Sequence, residues 1–378
     1  MSILSIRKKL FAGLFIFYFI ILSGLLIFKQ TALAQEKNWP MFGVNNLRQN
    51  QQNYGISGAR GTVKWEFKTD SQVNSSPVVA DGKVFFGTDE GLLFALDVNT
   101  GDPVWQFQTN GIIDSSPTYY DGYLLVTSRD NNIYALDAIT GEKIWQFKTG
   151  DNLTSSPLIS DEVVYFGSWD HCVYALNLQN GNLIWKFQAG NRFVGSPSLY
   201  KGNLYIGNND KNLYALDAKT GKLKWFFETG GFIYSTPAIS NNKVFIGSWD
   251  KKVYAINATT GAPVWSIRTG GHVLSSPAIY NNRVIIASDD QYVYAFNCDT
   301  GDQTWRKFIG GKTSVSSPAV SDGIVYIGST AKLFFAVNAN NGSPLWNFTP
   351  GDYVISSPSV YKGVVFFGSQ NNTFYALK

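Results

Sequence analysis

The sequence predicts an all-β fold, an eight-bladed β-propeller in which each blade is a four-stranded antiparallel sheet. Three observations support this prediction: a tryptophan recurs every 40 residues, a Ser-Ser-Pro motif recurs in register with it, and short β-rich runs lie between tight-turn dipeptides. A fixed period of this length is typical of repeat architectures, and four strands in about 40 residues is the spacing of a propeller blade.

The recurring tryptophans set the number of blades. The last interval contains one inserted residue, and the Ser-Ser-Pro motif, with two variants, occurs eight times. We predict that each of these tryptophans lies on the outermost strand of its blade and docks between neighbouring sheets, a structural role for a large aromatic side chain. These docking tryptophans are Trp65, Trp105, Trp145, Trp185, Trp225, Trp265, Trp305 and Trp346.

The strands follow from composition and punctuation within each period. Runs such as Val163 to Phe166 are rich in β-branched and aromatic residues, and turn dipeptides such as Asp81-Gly82 and Thr100-Gly101 supply the positive φ of tight hairpins. The strand of Trp65 precedes the first Ser-Ser-Pro motif, and the chain stops at Lys378 without a final tryptophan strand. The first strand is therefore expected to complete the last blade, which closes the ring and removes exposed sheet edges.

The N-terminal region has the order of an export signal. Arg7, Lys8 and Lys9 precede an apolar run from Leu10 to Phe28, and a small-residue site ends at Ala34. We expect cleavage after Ala34, with an uncleaved anchor in residues 10–28 as the alternative, because the run approaches the length that spans a bilayer. The predicted organisation is a signal peptide or membrane anchor (1–34), a leader (35–64) and one propeller domain (65–378), placed in the periplasm or outside the cell.

Composition narrows the classes of partner. Much of the formal net charge of +4 lies in the basic N-terminal segment, and the remainder has no basic run, so a nucleic-acid partner is not expected.

Cys172 and Cys298 fall in different repeats, so no disulfide between them is expected. His171 and His272 are the only histidines and also lie in different repeats, which gives little support to a catalytic triad or a multi-histidine metal site.

Candidate binding residues lie where the repeat varies. The hairpin between the second and third strands shares a face with the loop before the innermost strand, and its tip changes from blade to blade: Asp89, Arg129, Trp169, Asn209, Trp249, Asp289, Thr330 and Gln370. Variable tips on a uniform scaffold favour recognition. The following position carries an acidic residue in six blades, and we interpret it as a turn-forming residue. For Trp169 and Trp249 with Arg129, an interface role and ordinary packing between hairpins both remain open.

The loops before the innermost strands are asymmetric. Asn74, Asp114 and Thr154 are polar, whereas the matching positions are mostly apolar in the other blades: Val194, Tyr234, Leu274, Val315 and Ile355. This pattern predicts that one sector of the funnel mouth is polar and solvated, and we place Arg192 and His272 near that sector. The candidate binding face consists of five of the tips together with these loop residues: Arg129, Trp169, Asn209, Trp249, Asp289, Asn74, Asp114, Arg192 and His272. No catalytic, cofactor-binding or metal residue is assigned.

The string Ala95-x-Asp97-x-x-Thr100-Gly101-x-x-x-Trp105 recurs in register and resembles the tryptophan-docking motif of PQQ-repeat (pyrroloquinoline-quinone) propellers. The leader string Trp39-Pro40-Met41-Phe42-Gly43 is similar to the segment before the ring in secreted bacterial members. The resemblance implies two kinds of activity. One branch contains quinoprotein dehydrogenases with PQQ, Ca²⁺, a catalytic Asp and an adjacent cysteine pair. The other includes the propeller subunit of the outer-membrane β-barrel assembly machine.

This chain has no adjacent cysteine pair and no haem-attachment motif. We therefore expect an exported, monomeric, non-catalytic scaffold that binds a protein or peptide of the cell envelope, with no cofactor and with membrane contact only through its N-terminal segment. Two alternatives remain open at this point: a small quinoprotein dehydrogenase that uses PQQ with Ca²⁺, and a sensor that stacks a saccharide or small ligand on Trp169 and Trp249.

Overall fold

A computed structural model describes residues 41–45, 49, 51–52, 60–312 and 316–378. The predicted export segment 1–34 lies outside the described residues, as do Trp39, Pro40 and Val315. Within the described part of the chain, no helix is long and apolar enough to span a membrane.

The described residues form 33 strands in eight sheets, which confirms the predicted eight-bladed propeller. The leader strand and the first strand of the ring are β1 (Gln51–Gln52) and β2 (Val63–Lys68). Blades 1 and 2 contain β3 (Val78–Ala80), β4 (Lys83–Gly87), β5 (Leu92–Asp97), β6 (Pro103–Gln108), β7 (Thr118–Tyr120), β8 (Tyr123–Thr127), β9 (Asn132–Asp137) and β10 (Lys143–Lys148). Blades 3 and 4 contain β11 (Leu158–Ser160), β12 (Val163–Gly167), β13 (Cys172–Asn177), β14 (Leu183–Gln188), β15 (Ser198–Tyr200), β16 (Asn203–Gly207), β17 (Asn212–Asp217) and β18 (Leu223–Glu228). Blades 5 and 6 contain β19 (Ala238–Ser240), β20 (Lys243–Gly247), β21 (Lys252–Asn257), β22 (Pro263–Arg268), β23 (Ala278–Tyr280), β24 (Arg283–Ala287), β25 (Tyr292–Asn297) and β26 (Gln303–Phe308). Blades 7 and 8 contain β27 (Ala319–Ser321), β28 (Ile324–Gly328), β29 (Phe334–Asn338), β30 (Pro344–Phe348), β31 (Ser359–Tyr361), β32 (Val364–Ser369) and β33 (Thr373–Leu377).

The ring closes as the sequence predicts. β2 pairs antiparallel with β33, with Trp65 opposite Ala376, so the first strand of the ring is the outermost strand of blade 8. This strand begins at Val63, two residues before the predicted start of the domain. Closure leaves each blade packed between two neighbours, which is how a propeller protects its sheet faces.

Burial within a blade increases from the outermost strand inward. The second strand of blade 3 is almost wholly buried, whereas the outermost strand β14 alternates buried and exposed positions. Period-two alternation is expected for a strand with one face on a core and one in solvent. Apolar clusters fill the spaces between neighbouring sheets, for example Leu158 and Val173 of blade 3 with Leu204 and Leu216 of blade 4.

The structure places the recurring tryptophans on the outermost strands. In blade 3 the Trp185 Nε1 donates to the backbone oxygen of Ala218 at 2.9 Å, in the turn between the third and fourth strands of blade 4. A glycine of that turn, Gly221, has a φ of +71° and lies directly against the indole. Asp217 begins the turn and accepts a hydrogen bond from the Thr220 backbone N–H at 3.0 Å. The Asp-x-x-Thr-Gly string therefore builds the socket for the preceding blade's tryptophan.

The leader crosses the central channel. Met41 is buried in a cluster with Leu158 of blade 3, and Val44 is buried in a cluster with Val360 of blade 8. The Gln49 side-chain amide donates to the Ile239 oxygen, and the Gln49 backbone oxygen accepts from the Ile279 N–H, each at 2.8 Å. β1 then pairs in parallel with β27, the innermost strand of blade 7. The described leader residues thus contact innermost strands around the ring and fill part of the channel.

Candidate functional site

One face of the ring, the hairpin face, consists of the hairpins between second and third strands and the loops before the innermost strands. In blade 2 the Arg129 N–H donates to the Ile112 oxygen at 2.9 Å, and the equivalent bond in blade 3 joins Trp169 to Asn152 at 3.0 Å. This repeated bond ties each hairpin to its loop. The variable tip and the variable loop residue fifteen positions before it therefore lie side by side, which the sequence pattern alone did not reveal.

In blades 1 and 2 the tip and loop residues form polar pairs. The Asn74 amide donates to both oxygens of Asp89, at 2.9 and 3.0 Å, and itself accepts from Gln370 at 3.2 Å. The Arg129 guanidinium binds Oδ2 of Asp114, with its Nε at 3.0 Å. Oδ1 of Asp114 is buried and has no hydrogen-bond partner among the described residues. We call Asn74, Asp89, Asp114 and Arg129 the polar sector of the funnel mouth.

Both carboxylates of the polar sector are poorly solvated. Burial raises the pKa of Asp114, although the Arg129 charge and hydrogen bond act in the opposite direction. Burial also raises the pKa of Asp89, against the hydrogen bond from Asn74. Desolvation disfavours a charged carboxylate, so each site favours a positive or hydrogen-bond-donating group beside it.

Trp169 lies between two arginines, an arrangement we call the arginine–tryptophan cluster (Arg129, Trp169 and Arg192). The guanidinium carbon of Arg192 is 4.4 Å from the indole centroid, and that of Arg129 is 5.8 Å from it. The indole Nε1 donates to Oγ1 of Thr154 at 3.0 Å. Guanidinium groups within about 6 Å of an indole face are attracted by its quadrupole. The structure therefore brings together three of the predicted residues from three consecutive blades.

A second group, the aromatic cluster, contains Phe232, Tyr234, Trp249 and His272. The Trp249 ring centroid is 5.4 Å from that of Phe232, 5.5 Å from that of Tyr234 and 5.0 Å from that of His272, and the imidazole is stacked on the indole. His272 also bonds through Nδ1 to the backbone oxygen of Trp249. The predicted grouping of His272 with the polar sector is therefore wrong, because its loop in blade 6 packs on the tip of blade 5. Phe232 was missed, although the loop position of Arg192 in the next repeat identifies it.

Two other predicted residues are less accessible. Asn209 is only 4% exposed, and its amide nitrogen lies 3.5 Å from the Tyr234 hydroxyl, so it supports the aromatic cluster from below. Asp289 is half-buried, and its N–H donates to the His272 oxygen at 2.8 Å. The aspartate after the tip has the predicted turn role in blades 2 to 6; in blade 3, Asp170 accepts from the Cys172 N–H at 3.1 Å. It also accepts from the Tyr174 hydroxyl at 2.7 Å and from the Gly150 N–H at 2.8 Å.

A ring of hydroxyl groups surrounds the central funnel, and it too was missed. In seven of the eight Ser-Ser-Pro motifs, the second hydroxyl residue accepts a hydrogen bond from the backbone N–H of its counterpart in the preceding blade. Ser196 accepts from Ser156 at 2.9 Å, and Ser76 accepts from Ser357 at 2.9 Å, which carries the ring across the closure. Seven such bonds are present; their acceptors are Ser156, Ser196, Thr236, Ser276, Ser317, Ser357 and Ser76. The in-register repetition of the motif was the available signal.

Above this ring lies a cavity of about 400 Å³ that opens on the hairpin face. Phe42 of the leader lines it, together with the polar sector and the hydroxyl ring. The rest of its wall is apolar, and its lining residues there are Ile112, Val194, Tyr234, Leu274 and Ile355. The volume is within the usual range for a small-molecule site, about 300–1,000 Å³.

Comparison with known proteins places the chain in a family. A family model described as the β-propeller of the beta-alanine-activating enzyme matches residues 118–378, which is more than half of the chain. A PQQ-repeat model described as outer membrane protein assembly factor BamB matches residues 47–116. The chain belongs to this family of PQQ-repeat β-propellers. No curated protein shows significant sequence similarity to it.

Solved structures share the fold of this PQQ-repeat propeller at low sequence identity. BamB from Moraxella catarrhalis is 18% identical with a TM-score of 0.74, and the match covers 84% of this chain and 99% of BamB. A quinohemoprotein alcohol dehydrogenase from Comamonas testosteroni is 14% identical with a TM-score of 0.81, over 92% of this chain and 83% of the enzyme. A europium-containing methanol dehydrogenase is 14% identical with a TM-score of 0.79, over 90% and 92% of the two chains. Such likeness extends both to BamB and to dehydrogenases, so the fold alone does not decide the function.

The funnel of this PQQ-repeat propeller presents little positive charge to PQQ unless a cation is bound with it. PQQ is an anion with several carboxylates, whereas the funnel offers it one guanidinium, already bound to Asp114, beside two carboxylates. Cys172 and Cys298 are buried thiols in blades 3 and 6. Among the residues that the structure describes, no three His, Cys, Asp or Glu side chains come together as a metal site. A planar anionic cofactor would therefore meet unfavourable charge in the polar sector.

Proposed function

We propose that this chain is an exported scaffold without catalytic activity that binds a protein or an extended peptide of the cell envelope on its hairpin face. The predicted N-terminal signal supports export. The clusters of the hairpin face support binding without catalysis, and membership of the PQQ-repeat family is compatible with such binding. The family model that matches residues 47–116 is described as an outer-membrane assembly factor, and this favours the cell envelope as the place where the chain acts.

The observation that carries the proposal is that the hairpin face holds both the aromatic cluster and the arginine–tryptophan cluster. Trp249 is 36% exposed at its hairpin tip, whereas the docked Trp145 is 8% exposed. Its neighbours hold the indole in place before any partner arrives, so little side-chain entropy is lost on binding. Tryptophan, tyrosine and arginine are the residues that most often dominate the binding energy of protein interfaces. The arginine–tryptophan cluster adds two guanidinium groups on blades 2 to 4.

The same contacts argue for a protein partner rather than a saccharide. A sugar ring needs an open indole face, but His272 stacks on one face of Trp249, and Arg192 lies over Trp169 at 4.4 Å. The covered faces reduce the indole area that is open to a sugar ring, whereas a polypeptide can also contact the edges of the indoles.

Photo-crosslinking in the organism that makes the chain tests this proposal. p-Benzoylphenylalanine replaces Phe232 in the aromatic cluster, and the matched control carries it at Phe226, which is 57% exposed on the outermost strand of blade 4. We expect a crosslinked polypeptide from position 232 that is absent from position 226. Adding Trp249→Ala should remove it.

Equal crosslinking from both positions, or none from position 232, would overturn the proposal. A thermal melt with PQQ and Ca²⁺ supplies an independent check, because a ligand that binds only the folded state raises the melting temperature. A rise in melting temperature of several degrees, together with dye-linked dehydrogenase turnover, would contradict the scaffold proposal and favour a quinoprotein.

A further inference from the structure

The central funnel has the features of a small-ligand site, and it shares Arg129 and Tyr234 with the two clusters of the hairpin face. Phe42 of the leader lines it, and Gln49 of the leader is hydrogen-bonded to an innermost strand. Loops and hairpin tips of the hairpin face also line it, and its volume of about 400 Å³ admits a group of the size of one large side chain. A concave space of this size with a few placed polar groups is a common form of ligand site.

The charged residues of the funnel wall lie together, whereas its apolar residues are spread around the ring. Asp89, Asp114 and Arg129 stand on blades 1 and 2, and the apolar residues include Ile112 of blade 2, Val194 of blade 4, Leu274 of blade 6 and Ile355 of blade 8. An occupant that satisfies both kinds of lining has one polar end and one apolar body. Neither a wholly polar ligand nor a wholly apolar one would match this lining.

The sign of the polar end follows from the charges. Asp89 and Asp114 carry two negative charges and Arg129 carries one positive charge, so the polar sector is net negative when the carboxylates are ionised. Anions are therefore disfavoured. Arg129 already binds Oδ2 of Asp114, and the Asn74 amide already bonds to Asp89.

Oδ1 of Asp114 is buried without a hydrogen-bond partner among the described residues, so its negative charge lies beside the funnel with little compensation although the atom itself is not exposed there. A primary ammonium is a compact positive charge with three N–H donors, and it therefore matches the net charge of the polar sector.

We propose that the funnel binds a primary ammonium group carried on an apolar or aromatic body, with the ammonium at Asp114 and Asp89 and the body against Val194, Tyr234 and Leu274. The ligand is either a free amine or the amino end of a peptide, since both present the same chemistry. This site does not depend on the partner of the hairpin face, so a small probe can test it alone and either proposal can fail without the other.

Isothermal titration calorimetry of the whole purified chain with 2-phenylethylamine is the test. We expect 2-phenylethanol and 3-phenylpropionate, which keep the ring but change the charge, to bind at least about tenfold more weakly, equivalent to about 1.4 kcal/mol. Asp114→Asn and Asp89→Asn should each weaken binding of the amine by a similar factor. Asp121→Asn is the matched control, because Asp121 is an exposed turn residue of blade 2 outside the funnel lining.

A peptide amide that begins with Phe, compared with its N-acetylated form, distinguishes the two sources. Binding of the free peptide but not of the acetylated one supports a chain end as ligand, and binding of phenylethylamine alone supports a free amine. Failure of both to bind would overturn the proposal, as would equal binding of the amine and the alcohol. If Asp114→Asn does not fold, the probe series on the unaltered chain and Asp89→Asn still decide the question.

Discussion

Two glycines of blade 4 allow the tryptophan socket to be tested with a matched pair of substitutions. Gly202 and Gly221 have nearly the same backbone conformation, with φ of +73° and +71°. A Cβ added at Gly202 meets no atom within 4 Å, whereas one at Gly221 would lie 2.6 Å from Cε3 of Trp185. Both alanine variants carry the cost of a left-handed residue, and only Gly221→Ala also collides with the indole.

The expected losses follow from these geometries. A non-glycine residue in the left-handed region costs roughly 1–2 kcal/mol, so Gly202→Ala should lower the free energy of unfolding by that amount. The Trp185 indole is 9% exposed and bonded to Ala218 at 2.9 Å, so it has little room to move. Overpacking of this kind costs about 1–3 kcal/mol more, which gives about 2–5 kcal/mol for Gly221→Ala.

Urea unfolding of the full chain, followed by circular dichroism, measures both variants against the parent. Repeating the pair in a Trp185→Leu background isolates the collision, because the difference between the two alanine variants should then disappear. Equal destabilisation by Gly202→Ala and Gly221→Ala in the parent chain would refute the socket as the reason for the glycine.

Three further results are expected. Burial raises the pKa of Tyr165 and Tyr294 to about 12, so between about pH 10 and 12 the folded chain keeps protons that the unfolded chain loses. The stability that these phenols contribute is complete below about pH 10 and is lost as the pH rises to about 12, which alkaline unfolding curves will measure. Ser196→Ala removes the acceptor of the buried Ser156 N–H and should cost about 1–3 kcal/mol in urea unfolding. Burial raises the pKa of the Cys298 thiol to about 12, so iodoacetamide at about pH 8 should alkylate it only after unfolding, as mass spectrometry will show.

Each of these expectations has an outcome that contradicts it. Phenolate absorbance equivalent to all 20 tyrosines at about pH 10, while the circular dichroism stays native, would mean that the buried tyrosines titrate as free ones. Ser196→Ala should cost clearly more than Ser266→Ala, since Ser266 is an exposed residue of an outermost strand. Alkylation of native Cys298 at the rate of a free thiol would show that its blade opens readily.

Much of the architecture was predictable because it repeats and depends on contacts within one blade or between neighbouring blades. The period of the tryptophans determines eight blades, and the position of Trp65 before the first Ser-Ser-Pro motif determines that β2 closes the ring on β33. The acidic turn position was also interpretable from the sequence, because an Asx hydrogen bond such as that of Asp170 to Cys172 spans only two residues.

The candidate site was only partly predictable. The variable tips identified the hairpin face, and Trp169 does lie with Arg129 and Arg192. His272 was grouped wrongly because aligning the repeats identifies equivalent positions but does not show against which neighbouring blade a loop packs. Phe232 went unnoticed for the same reason.

The sequence alone determined the fold class, the number of blades and the way the ring closes, since these follow from local strand and turn signals repeated at a fixed spacing. Only the tertiary structure decided what fills the channel and how the funnel is lined. The hydroxyl ring joins residues 40 apart, and Gln49 reaches Ile239 across 190 positions. Such contacts depend on the curvature of the closed ring, which brings side chains from all eight blades to one axis, and no local pattern records which of them meet there.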